Sequence, residues 1–428
     1  MDLTNEQNMP TLKKVAALFF FVQTILYLII FRKEIFTIKF SIKGLLLFTL
    51  LLMLIFTVLN IKFSIYITAF FVLISVIYGI INKQFKPHPL FYFIAGYYIF
   101  QLIGLLWSID FILGFKFVGK GLSFLLIPLA FSCFIVTIED RNKLLKIFFR
   151  FLIVYVFMGM IAYLYQVFFH ETSLLVGFVF DKHYFHTPVF NGANYYILMG
   201  WGGYTHPTFI SFILSLMYGV GFYLWKAEKG TNYRISTFEM IFYTFSAAVM
   251  IFLLQSRIGM ILLPFSIFLS ILLSIRKKKK LLTSLVSFWV IAVIIISVLA
   301  IKTYPEYFSD PKREYQTDIV VSYIQDHFWT GTGTGGMKVF IPEFPTAHNQ
   351  FIGEIYHLGI GGFLVFFALV AASFYFAVKN KNFVLLYFSI LFFLLMQIDM
   401  PLNVQKGITY FTLFTGLFIR PEFDNKRI

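Results

Sequence analysis

A single cysteine in 428 residues, Cys133, excludes an intramolecular disulfide, and its place inside an apolar run predicts a buried, unreactive thiol. Charge is scarce too: Asp, Glu, Lys and Arg make up 13% of the chain, about half the share of an ordinary soluble domain. No repeat recurs at a fixed period and no low-complexity linker divides the chain, so residues 1–428 read as one integral domain. Metal-ligand patterns are missing as well. His183 and His186 stand three residues apart, but no carboxylate or cysteine pattern completes a site, and no metal is expected. GTGTGG at 331–336 lacks the Lys-Ser or Lys-Thr ending of a nucleotide-binding loop. It reads as a turn after a helix, and an approach of its backbone N–H groups to a phosphate stays open.

What the chain has instead is apolar length. Hydrophobic residues make up 59% of it, with 59 Phe. Runs near the 17 to 25 residues that cross a hydrocarbon core as helix recur at roughly 15–31, 44–60, 62–81, 89–107, 117–138, 147–168, 207–225, 237–255, 258–275, 281–301, 349–377, 383–398 and 407–419. The expected fold is all-α: a polytopic membrane helical bundle of about 12–13 transmembrane helices. Ile29-Ile30-Phe31 runs straight into Arg32-Lys33 without a small-residue cleavage site, so the first run is expected to stay as a span rather than leave as a signal peptide.

Cation placement orients the bundle. If the RKKKK run at 276–280 faces the cytoplasm, alternation puts 32–43, 83–86, 141–150, 226–234, 379–381 and 420–427 on the same side, and these seven segments hold 23 of the 35 Lys and Arg. The net charge of +15 is then mostly a record of topology, and its scatter over short loops argues against nucleic-acid binding. Two long segments face outward, 169–206 and the main loop 302–348. The first is rich in aromatics, among them Tyr184, Tyr195 and Trp201, which suit either sugar stacking or an interfacial belt.

The main loop is expected to be partly helical. Asp310 can cap a helix that starts at Pro311, carries apolar residues at Tyr315, Ile319, Tyr323 and Phe328, and ends at Gly331. Lys312 and Arg313 lie in its first turn, where free N–H groups already favour anions. They could bind a phosphate or merely pair with Glu314 and water. Arg257, in LLQSRIGMILL, falls between two apolar runs at the outer face. A guanidinium there suits a diphosphate held in a bidentate fork, the alternative being an arginine that snorkels to lipid headgroups. His348 could accept a proton near neutral pH, donate to a phosphate oxygen, or be structural. Glu354 and His357, one turn apart, suggest either a carboxylate orienting an imidazole or a buried polar pair.

These positions form an ordered set: WSID at 107–110 with the span ending LLIPLAF, THPTFIS at 205–211, SRIG at 256–259, KREYQTDIVVSYIQDHFWTGTGTGG, and AHNQFIGEIYHLGIGG. The set resembles the O-antigen ligase family, polytopic enzymes of bacterial envelopes that also resemble O-antigen polymerases. The resemblance implies a metal-independent glycosyltransferase of the C type, without cofactor, in the bacterial inner (plasma) membrane. It would transfer a glycan from undecaprenyl diphosphate to an acceptor hydroxyl, that of lipid A core, at the periplasmic face. By the same resemblance Arg313 and Arg257 would hold the diphosphate and His348 would act at the acceptor hydroxyl, with Lys312, His206, Asn349 and Lys338 as further substrate-binding candidates. The chain departs from the family pattern in its 13 apolar runs against a usual 12, and in His357, which stands where an acidic or small residue is expected. A polymerase joining lipid-linked repeat units is the alternative. A transporter or flippase fits less well, because the candidate residues gather at one outer face rather than at the bilayer midplane.

Overall fold

A computed structural model describes residues 41–59, 61–169, 207–254, 256–274, 311–336 and 347–420, with the single positions 284 and 302. The run expected at 15–31, the run at 281–301 apart from position 284, and the outer loop 169–206 apart from Phe169 lie outside the described residues. Within them the chain is helical, without a strand: α1 Ile42–Leu59, α2 Ile61–Ile81, α3 Pro89–Ile103, α4 Phe111–Gly121, α5 Ser123–Cys133, α6 Ile138–Phe169, α7 Pro207–Trp225, α8 Thr237–Leu253, α9 Arg257–Ser274, α10 Pro311–His327, α11 Gln350–Lys379, α12 Phe383–Ile398 and α13 Gln405–Phe418. Seven of the described segments are long and apolar enough to cross a membrane, and α8, α12 and most of α9 are shorter apolar helices. The protein is thus an all-α, multi-pass membrane protein. Phe238, Ile241 and Phe245 of α8 line one side of the helix with exposures of 64% or more, an apolar face that suits lipid and not water.

The helices group into two compact units, Met1–Ile74 with Thr137–Ile267 and Ser75–Val136 with Phe268–Ile428. In the first, α6, α7 and α8 pack on one another and α1 packs on α6. Gly221 of α7 leaves room for the Phe149 ring, which in turn lies 4.3 Å, centroid to centroid, from Tyr243. Ion pairs tie ends that the cation bias assigns to the cytoplasm: Lys43 to Asp140 at 2.7 Å, and Arg150 to Glu239 at 2.7 Å. Glu239 also closes a capping box with Ser236 that starts α8.

In the second unit α11 packs on α3, α10 and α12, and α13 packs on α5. The span expected at 117–138 begins six residues earlier and is jointed at Leu122. Asp110 of WSID accepts from the Leu113 N–H at 2.9 Å and so starts α4 at Phe111. Cys133 closes α5 and is buried, as its apolar surroundings predicted. The long run at 349–377 is a broken helix. Gly359 takes φ 63 and ψ −167 inside α11, which divides its 30 residues into a short first arm and a second arm of about the length that spans a bilayer core.

Candidate functional site

The main loop folds as the sequence predicted in outline and differs in which face it buries. α10 starts at Pro311 and ends at His327. Tyr315 is 67% exposed and Phe328 39%, whereas Gln316 is 5% and Val320 0% exposed. The buried stripe therefore runs Gln316, Ile319, Val320, Tyr323, Ile324, at helical spacing one residue on from Tyr315. It packs on Tyr356 and Ile352 of α11, with Ala347 and Met400. Lys312 and Arg313 are the second and third residues of α10.

GTGTGG then works as a clasp. All six residues are buried. The Gly331 N–H donates to the His327 carbonyl, the Thr332 N–H to the Tyr356 carbonyl at 2.9 Å and the Thr334 N–H to the Gly104 carbonyl at 3.2 Å. WSID lies against the same loop: Trp107 Nε1 donates to the Thr330 carbonyl at 2.8 Å, Ser108 Oγ to the Thr334 carbonyl at 2.8 Å, and the Ile109 N–H to the Thr332 carbonyl at 3.0 Å. The Ile360 N–H, freed by the break in α11, donates to the Phe328 carbonyl at 2.9 Å. Backbone groups released by an irregular turn inside a membrane helix are thereby satisfied by protein. A Cβ on Gly359 would collide with the Trp329 carbonyl oxygen, and one on Gly333 with the Ser108 backbone. The glycines allow this interlock, and the loop's amides are largely committed to it rather than to a phosphate.

His348 stands where the loop enters α11. Its backbone lies in the left-handed region, φ 49, an uncommon state outside glycine. Nε2 is 3.0 Å from Gln316 Oε1, and the side chain is half-buried. Asn349 caps α11: Oδ1 accepts from the N–H groups of Phe351 and Ile352 at 2.9 and 3.2 Å, while Nδ2 donates to the Gln397 carbonyl. Its amide is thus turned to protein. The motif His-Asn sets one residue facing α10 and the next fixing the helix start.

Behind the cap is a buried polar chain. Glu354, 2% exposed, accepts from Tyr97 Oη and from Gln350 Nε2, both at 2.6 Å, and the Gln350 amide also reaches Asn403 Oδ1 and the Leu402 N–H. The Glu354–His357 pairing offered by the sequence is not made. Glu354 turns to α3, and among the described residues His357 Nδ1 has no hydrogen-bond partner while its ring meets the Gly333 backbone. Tyr97 was not legible as a partner, because nothing local in a sequence joins α3 to α11, whereas Gln350 stands one turn before Glu354 on α11, a spacing that signals such a pair. Gln316 did leave a signal, a polar residue on the apolar stripe of an amphipathic helix.

In the first unit SRIG and THPTFIS interlock. Ser256 Oγ accepts from the Gly259 N–H at 3.2 Å and starts α9, of which Arg257 is the first residue. A Cβ on Gly259 would come within 2.6 Å of Ser211, so glycine is what allows the starts of α7 and α9 to approach. Two helix N-termini side by side, one opened by an arginine, favour an anion. His206 and Lys338 lie outside the described residues. Among the described residues no three His, Cys, Asp or Glu side chains gather as a metal site.

No curated protein matches the chain. Residues 242–367, which run from α8 through Arg257, Arg313 and His348 to beyond the break at Gly359, match the family described as O-Antigen ligase. Over these residues the chain is similar to the O-antigen ligase family, and the match supports a membrane glycosyltransferase of the ligase and polymerase type.

Proposed function

We propose that the chain transfers a glycan from undecaprenyl diphosphate to a hydroxyl of lipid A core at the periplasmic face of the inner membrane, without a metal. The observation that carries the reading is the meeting of His348 with the buried face of α10, the helix that opens with Pro311, Lys312 and Arg313. In the proposed step the acceptor oxygen attacks the anomeric carbon, the bond from that carbon to the diphosphate oxygen breaks, and the hydroxyl proton passes to the His348 imidazole. The lipid diphosphate leaves with its developing charge met by Arg313, whose planar fork suits phosphate oxygens, and the family resemblance gives Arg257 the same role. Because the donor is already activated, positioning, charge compensation and one proton acceptor suffice, and no nucleotide is needed.

The test uses the full chain in proteoliposomes with undecaprenyl-diphosphate-linked glycan. Lipid A core is supplied as acceptor in one arm, and a second portion of lipid-linked glycan serves alone in the other. His348→Ala is expected to lower transfer about a hundredfold to ten-thousandfold while donor binding persists. Retained transfer would remove His348 as the base. Products found only in the second arm would make the chain a polymerase.

A further inference from the structure

The Gln316–His348 contact has a directional consequence. Gln316 is 5% exposed and shares the stripe of α10 with Val320, itself fully buried, so its side chain is held between α10 and the elements packed on it. On the other side the His348 backbone is held by the cap of α11 one residue later. Two independently anchored elements thus bring Gln316 Oε1 to 3.0 Å from His348 Nε2. With the amide oxygen toward the ring as the acceptor, the imidazole carries its proton on Nε2 and the lone pair falls to Nδ1. A reversed amide, with its NH₂ toward the ring, would give the opposite tautomer and turn the basic nitrogen toward α10.

We propose that Gln316 is the positioning residue for His348: its amide oxygen holds the imidazole in the Nε2–H tautomer and presents Nδ1 as the proton acceptor for the acceptor hydroxyl. This rests on the reading of His348 as the base. A second role follows from the same bond. As Nδ1 takes a proton the ring becomes cationic, and the Gln316 oxygen, already placed on Nε2–H, stabilises that charge without rearrangement. Gln316 lies one helical turn after Arg313, so the helix that would bring a guanidinium to the leaving group also sets the base.

The experiment compares pH–rate profiles of transfer for the wild type, Gln316→Met, Gln316→Glu and His348→Ala. Met keeps volume and apolar packing but removes the acceptor. It is expected to lower kcat at least tenfold with the donor KM little changed. Glu keeps the acceptor and adds a negative charge beside the imidazole, so it should retain activity within several-fold and move the acid limb upward by about one pH unit. The other titratable and charged groups on the elements that meet here, Lys312, Arg313, Glu314, Tyr315, Asp318, Tyr323, Asp326 and His327 of α10, Glu354, Tyr356 and His357 in the first arm of α11 and Asp399 after α12, are unchanged in every variant, so a limb moved by Gln316→Glu reports this contact. Two results would overturn the proposal: a Gln316→Glu profile that coincides with the wild type, or a Gln316→Met protein that melts earlier yet turns over normally. If instead His348→Ala stays active, the base reading itself fails, whatever Gln316 does.

Discussion

At the scale of single residues the fold uses polar groups sparingly, and several of them serve as helix caps. His88 is an example away from the site. Its Nδ1 accepts from the Leu90 N–H at 3.2 Å and caps α3, its ring packs edge-on against Phe376, and burial together with the nearby Arg420 brings its pKa down to about 4. An unfolded chain takes up that proton below about 6.5. The neutral cap therefore contributes stability that is complete above pH 6.5 and is lost as pH falls toward 4. His88→Asn keeps a capping oxygen and removes the titration, so the thermal stability of the variant in detergent should fall less than that of the wild type between pH 7 and pH 4.5. Parallel curves for the two proteins would show that His88 is not the titrating group. Residues of this kind differ in how legible they are. Arg257 and His348 stand out in the sequence because a cation or an imidazole at an outer membrane boundary demands a reason. Tyr97 acquires its meaning from a partner 257 positions away and stays silent until the chain is folded, while Gln316, a polar residue on an apolar stripe, signals that it has a partner but not which one, 32 positions away.

At the scale of elements, the break in α11 is the feature on which the others depend. Gly359 sits at φ 63, ψ −167, a region open in practice to glycine alone, and the Trp329–Thr330 backbone occupies the place where a Cβ would stand. Gly359→Ala should therefore cost about 1–3 kcal/mol from backbone strain, with a further loss from the displaced loop, and should lower transfer because the same loop ends the helix that carries Gln316. Gly119→Ala is the control. Beyond its own helix backbone, no atom of the described residues lies within 4 Å of where a Cβ would stand, and it sits in regular helix, so alanine there should stabilise slightly. Equal thermal shifts for the two variants would show that the break is not under this constraint. Period and punctuation made most helices legible: α7 and α12 begin and end where the apolar runs do, and Pro311 marks the first residue of α10. The register of α10 was harder to read, because Tyr315 and Val320 both suit an apolar stripe and only packing on Tyr356 decides between them. The clasp was legible merely as a turn. Glycine spacing announces special backbone, but the use of that backbone to fill a broken helix depends on α4 and α11 arriving on either side.

At the scale of the whole chain, orientation rests on charge, since 23 of 35 cationic residues fall in the segments that alternation places on one side. This reading puts the clasp, the His348 cap and the start of α10 outside and the RKKKK run at 276–280 inside. Single-cysteine labelling tests it, provided the reporter can be reached. Thr332, near the middle of the main loop, is a poor reporter because it is fully buried beneath WSID and α11, whereas Trp329 is 78% exposed. The native Cys133 is buried and gives a low background, or can be replaced by alanine. Trp329→Cys should react with a membrane-impermeant maleimide in intact spheroplasts, and Lys278→Cys only after permeabilisation. The opposite pattern would reverse the topology and move the proposed chemistry to the cytoplasmic face, where a lipid-linked glycan already flipped outward could not meet it. Thr332→Cys supplies the internal check: resistance to labelling on both sides, with Trp329→Cys reactive from outside, is what a loop folded into a broken membrane helix requires and what an open loop would not give.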